Sequence, residues 1–148
     1  MYERILVATD GSELSELAVT ASIELALLMN AELIAVKVVH HYPTGYFEGS
    51  LLLSQMEVGR LRDEADAESQ RIVDAATARA RERGVGQATG IVMRAEGVSE
   101  AIIEAARVHH CDLIVMASHG RRGFRRLLMG SETLNVLTHS HTPVLVLR

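Results

Sequence analysis

Residues 111–143 read CDLIVMASHGRRGFRRLLMGSETLNVLTHSHTP. An unbroken apolar run, Leu113–Ala117, passes straight into Ser118-His119-Gly120. A basic segment follows, with Arg121, Arg122, Arg125 and Arg126 around Phe124, and Gly130-Ser131 then opens a helix-like stretch that reaches His139. Strand, glycine-bearing loop and helix start form the arrangement in which a backbone makes an anion site. The first turn of a helix presents N–H groups with no intrahelical partner and a partial positive charge. Glycine lets main chain approach a phosphate closely, and arginines raise the local positive potential. By spacing alone, Gly120, nine residues and Gly130-Ser131 fit equally a turn followed by a helix cap, and both readings stand. The stretch is not a Walker A loop, which needs a lysine directly after its last glycine; Lys37 is the chain's one lysine. Nor does it have the spacing of the G-x-G-x-x-G dinucleotide fingerprint.

The alternation recurs along the rest of the chain. The run ILVA within residues 4–9 suits a buried parallel strand and is broken by Asp10-Gly11-Ser12. Asp10 or Ser12 can cap the next helix, and Glu13, three residues after Asp10, has capping-box spacing. That helix carries Leu14, Leu17, Ala18, Ala21, Leu25 and Leu28 on one face, predicted to point inward, and Asn30 stops it. Residues 33–39, LIAVKVV, form a second strand. Residues 40–54 hold Tyr42, Pro43, Gly45, Tyr46, Phe47 and Gly49 and read as a long loop. Residues 55–83 are a charged amphipathic helix whose buried stripe is predicted at Leu61, Ala65, Ile72, Ala76 and Ala80, ended by Gly84 and Gly86. A weaker strand at 88–93, a helix at 100–109 with Ile102, Ile103 and Ala106 inward, the strand at 113–117, the helix from Ser131 and a last strand at 144–147 complete the order.

Strands alternating with helices predict an α/β fold: a single doubly wound five-stranded parallel sheet, order 3-2-1-4-5, with helices on both faces and residues 1–148 as one domain. Ligands of such sheets sit beyond the carboxyl ends of the strands, where the strand order reverses. Asp10 follows strand 1 and Gly120 follows strand 4, so in that order the two loops flank one crevice.

Composition narrows the function classes. The chain has 148 residues, 48% hydrophobic and 23% charged, which suits a soluble globular protein. A net charge of −4 argues against a general nucleic-acid binder. No stretch approaches the ~18 apolar residues of a membrane span, and MYERILVATDGS lacks the apolar core of a signal peptide; a cytoplasmic protein is expected. One cysteine, Cys111, excludes an internal disulfide framework and reads as a small buried hydrophobe. His109-His110-Cys111-Asp112 tempts a metal reading, but successive helical residues point in different directions and zinc sites space their ligands, so no metal site is assigned. His119 reads as a structural hydrogen-bonding residue, and no catalytic residue is assigned.

At this point ILVATDGSELSELAVTAS near the start, and MASHG, nine residues, GSETLNVL and TPVLVLR at the end, resemble the universal stress protein A family over the whole chain. The family's nucleotide-binding branch carries G-x-x-G, nine residues, G-[S/T]. Gly120 and Gly130-Ser131 match it, and Ala117 stands in place of the first glycine. The resemblance implies an adenine-nucleotide alpha hydrolase-like architecture and a nucleotide-dependent stress-response protein that binds ATP with Mg2+. Residue by residue, it implies Ala8, Thr9 and Asp10 beside the ribose and adenine, Val38 against adenine, and Met116 and Ala117 lining base and ribose. Ser118, Gly120, Arg121 and Arg122 would run along the phosphates, with Gly130, Ser131, Glu132 and Thr133 cradling them. A carboxylate at Glu132 repels phosphate unless Mg2+ intervenes or the side chain points away. The resemblance further implies a homodimer through the strand at 144–147, whose apolar edge would otherwise be bare. Two other functions fit the same residues: a dimeric interaction module that binds no nucleotide, and a slow ATPase, although no residue stands out as a positioned base.

Overall fold

The computed structural model describes residues 1–41, 55–120 and 129–148. Five strands, β1 (Arg4–Ala8), β2 (Glu32–His40), β3 (Ala88–Ala95), β4 (Leu113–Ala117) and β5 (Val144–Leu147), alternate with four helices, α1 (Glu13–Met29), α2 (Gln55–Glu82), α3 (Val98–Val108) and α4 (Ser131–His139). The strands form one sheet in the order β3-β2-β1-β4-β5, and every neighbouring pair is parallel. The expected fold class and strand order are therefore observed.

The central strands β1, β2 and β4 are buried on both faces because they are apolar at successive positions rather than at alternate ones. Ile5, Val7, Leu33, Ala35, Leu113 and Val115 face α1 and α2, packing on Val19, Ile23 and Val73. Leu6, Ile34, Val36, Ile114 and Met116 face α3 and α4, packing on Ile102, Ala105 and Val136. Right-handed crossovers account for this division. From β1 to β3 the chain adds strands in one direction, from β3 onward it adds them in the other, and the helices change face with the direction.

Two helix faces differ from expectation. In α1 the buried residues are Ser15, Ala18, Val19, Ser22, Ile23 and Ala26, whereas Leu17 and Leu28 are 55% and 84% exposed. The helix has an apolar stripe on each side, and the sheet takes the one with small residues, which let the two backbones approach. Ser22 is buried at low cost because its hydroxyl donates to the Ala18 carbonyl at 2.7 Å. In α2 the first buried residue is Ser69, followed by Val73, Ala76, Thr77 and Ala80; Leu61 and Ala65 are exposed, because the amino-terminal half of this helix presents nothing fully covered. Asn30 ends α1 in the left-handed conformation, φ 53, and its N–H bonds back to Ala26 and Leu27.

Cys111 lies buried where α3 returns to β4, its N–H donating to the Ala106 carbonyl at 2.8 Å. Burial pushes its thiol up from 9.0 to about 11. The unfolded chain thus loses this proton first as pH rises past 9.0, while the folded chain keeps it to about 11. The stability it contributes is whole below pH 9.0 and is lost through that window. Urea unfolding at pH 8 and pH 10.5 should reveal this loss in the native chain and a smaller one in Cys111→Ala.

Candidate functional site

The carboxyl ends of β1 and β4 meet at the point where strand order reverses. Beyond β1, Thr9 extends the ladder by one bond, its N–H donating to the Val36 carbonyl at 3.0 Å. The chain then turns through Gly11, φ 77. Ser12, not Asp10, is the N-cap of α1, its hydroxyl accepting from the Ser15 N–H at 3.3 Å. Asp10 instead shapes the turn, Oδ1 accepting from the Ser12 N–H at 3.0 Å. The Asp10 N–H donates to the Ser15 hydroxyl at 3.4 Å, and that hydroxyl lies 3.1 Å from the Thr9 hydroxyl. The turn thus orients the carboxylate through its own backbone.

Beyond β4, Ser118 ties three elements together. Its N–H donates to the Leu147 carbonyl at 2.7 Å, and its carbonyl accepts from the Gly130 N–H at 2.8 Å. The buried Thr133 hydroxyl donates to the carbonyls of Ala117 and Ser118, at 3.0 and 3.1 Å. Its proton therefore fastens α4 to β4. The Ser118 hydroxyl lies 3.1 Å from His119 Nδ1. Gly130 is the N-cap of α4 in extended conformation and supplies no side-chain cap bond, so the first turn's N–H groups keep their capacity to bind an anion.

Both glycines are close-approach positions. A Cβ on Gly120 would lie 2.5 Å from Asp10 Oδ2, so the β1 and β4 loops touch across the switch point. A Cβ on Gly130 would lie 3.3 Å from the Ser118 carbonyl oxygen. Ala117, where the motif has glycine, needs no such freedom. It ends β4 in regular strand geometry, and Asn30 and His110 are the non-glycine residues with positive φ among those described.

These loops border a cleft of about 110 Å³. Its walls are apolar: Ala8, Val36, Val38, Met116 and Ala117 from the sheet, Val98 and Ile102 from α3. Thr9, Asp10, Ser15, Lys37 and Glu132 add polar groups. The structure therefore gathers Ala8, Thr9, Asp10, Val38, Met116, Ala117 and Glu132 around one cleft, with Ser118, Gly120, Gly130, Ser131 and Thr133 along the β4–α4 connection. Arg121 and Arg122, with Phe124, Arg125 and Arg126, lie outside the described residues. Val36, Lys37, Val98 and Ile102 were not among the sequence candidates. Val36 could have been found as the same-face neighbour of Val38, two positions along the strand. Val98 and Ile102 stand four apart on the helix that caps this face, which the strand order makes recognisable only once it is known.

Glu132 does not point along its own helix end. Its Oε2 accepts from the Ser99 N–H at 2.8 Å, in the first turn of α3. A larger cavity, about 240 Å³, lies at the opposite pole between Arg4, Glu32, Gln87, His109 and His110. It sits at the amino ends of the strands, where Arg4 is engaged by Glu32 Oε2 at 2.6 Å and by the His109 carbonyl at 2.9 Å. It lies against the carboxyl end of α3, at Val108, His109 and His110, which favours no anion, and the smaller cleft is the better candidate. Among the described residues no three His, Cys, Asp or Glu side chains gather as a metal site, and no described helix is long and apolar enough to cross a membrane.

A doubly wound parallel sheet with an apolar cleft at its switch point, beside the uncapped start of a helix, defines an α/β ligand-crevice domain. Within that class the assignment is specific: the universal stress protein family pattern matches residues 1–148, and the chain belongs to that family. It is 32% identical over 150 residues to universal stress protein YxiE of Bacillus subtilis, covering 100% of both chains. Among solved structures, a universal stress protein family member from Burkholderia pseudomallei is 32% identical with a TM-score of 0.76, covering 98% of this chain and 95% of that one. A universal stress protein solved in complex with cAMP is 25% identical with a TM-score of 0.71, again covering 98% and 95%.

Proposed function

We propose that this chain binds an adenine nucleotide, ATP with Mg2+ foremost, in the cleft between the β1 and β4 loops, and acts as a nucleotide-dependent stress-response protein. One observation carries the reading: the amino end of α4, without a side-chain cap at Gly130, borders through Glu132 an apolar cleft of about 110 Å³. Small-molecule sites usually enclose ~300–1,000 Å³, so the cleft takes only the base end of a nucleotide. Adenine lies between Val38, Met116 and Ile102. Asp10, held by its turn, accepts from ribose hydroxyls, with Ala8 and Thr9 beside it. The phosphates run past Ser118 and Gly120, against the N–H groups of Ser131, Glu132 and Thr133 beside Gly130, and Arg121 and Arg122 add positive charge for them. A relative solved in complex with cAMP supports an adenine nucleotide as the ligand.

Mg2+ would be carried in on the phosphates; that ion keeps several waters and takes one or two carboxylates at most. Carried there, the ion would offset phosphate charge. The chain works in the cytoplasm as a homodimer, paired through the exposed edge of β5, where Leu145 is 38% exposed. Neither nucleic acid nor membrane is a partner.

Denaturing the purified protein and chromatographing the supernatant tests the reading. Co-purified adenine nucleotide, or a thermal shift on adding ATP–Mg2+, is the expected result. An empty preparation with no shift would favour a dimeric interaction module without nucleotide, and steady conversion of ATP to ADP a slow ATPase.

A further inference from the structure

Three helices begin at the cleft: α1 is capped by its own Ser12, whereas the amino ends of α3 and α4 are finished differently. The N-cap of α4, Gly130, gives its first turn no side-chain bond. The N-cap of α3, Gly97, likewise gives none, but there a carboxylate from another element closes the end: Glu132 Oε2 accepts from the Ser99 N–H at 2.8 Å across 33 residues of sequence. Glu100 folds back over Gly97, and its Oε2 accepts from the Ser99 hydroxyl at 3.1 Å. The α3 amino end, a second potential anion site on this cleft, is thus occupied by the protein's own carboxylates.

Glu132 also lines the cleft, as does Asp10. The carboxylate that caps α3 therefore borders the cleft from the first turn of α4, the helix to which it belongs. We infer that Glu132 is a charge filter: through its bond to Ser99 it closes the anion-binding end of α3, and its charge biases the cleft against highly charged polyphosphates relative to monophosphates. The inference rests on the nucleotide reading above and names the residue that sets its phosphate preference. The α3 dipole offsets part of the charge, and Glu132 is exposed. Screening by solvent accordingly keeps the bias to a few-fold rather than orders of magnitude.

Glu132→Gln separates charge from capping. The amide oxygen still accepts from Ser99, so the melting temperature should stay within about 2 °C of the native value. Dissociation constants for ATP and AMP, measured by titration calorimetry with Mg2+ chelated, should give an ATP-to-AMP affinity ratio about threefold higher in the variant at low salt. The gain should shrink toward nothing at ~1 M salt, where the screening length falls to about 3 Å. Glu132→Ala removes the cap as well and bares the α3 N–H groups. Its ratio should rise at least as far, with a melting temperature lower by several degrees. An unchanged or lowered ratio in both variants, while the native chain binds AMP and ATP, overturns the filter and leaves the nucleotide reading standing. A native chain that binds neither overturns both.

Discussion

Replacing Gly130 by valine should abolish nucleotide binding, by about 100-fold or more, while leaving the protein folded. Backbone strain is not the cause: Gly130 has φ −62 and ψ 148, where valine is comfortable. The cause is contact. A Cβ at this position meets the Ser118 carbonyl oxygen at 3.3 Å and His119 Cα at 3.5 Å, and the γ-carbons of valine reach further. The Gly130 N–H is bonded to that same carbonyl at 2.8 Å. The start of α4 must therefore draw back from the end of β4, carrying its open N–H groups away from the phosphates. Hydrogen bonds to a charged partner contribute about 1.5–3 kcal/mol each, so two displaced donors account for the loss. The cost of the extra volume to stability, about 1–3 kcal/mol, is what overpacking usually exacts. Titration calorimetry with ATP–Mg2+ alongside circular dichroism measures both. A folded variant that binds like the native chain would remove the amino end of α4 from the site.

The largest effect on stability is expected from Ile114→Ala. Ile114 is 0% exposed in β4, pairs in register with Leu6 of β1 and Val144 of β5, and belongs to the core beneath α3 and α4 with Val36, Met116 and Val136. Its neighbours are held in two directions by the sheet and from above by helices, so the space vacated cannot close. Removing a buried isoleucine under these constraints costs about 2–5 kcal/mol. Urea unfolding should show a lower midpoint with an unchanged slope. A loss below about 1 kcal/mol would mean that this core relaxes far more freely than its packing indicates.

Much of the architecture was legible from residues alone. The strands at 113–117 and 144–147 and the helix at 131–139 fall where the sequence places them; the first is a continuous apolar run because it is covered on both faces. The strand order could be anticipated because few topologies satisfy right-handed crossovers. The candidate site was partly legible: Asp10 and Gly120 were expected to face one another, and they come within contact distance.

What the sequence by itself determined was therefore the order of elements and the chemistry at their ends: apolar runs, a glycine at each close approach, an acid after β1. The tertiary structure decided which of two apolar stripes α1 buries, that Ser12 rather than Asp10 caps that helix, and that Glu132 reaches another helix altogether. Periodicity along a chain tells which residues share a face, but which face is covered, and which lone N–H a carboxylate finds, depends on partners brought near by the fold.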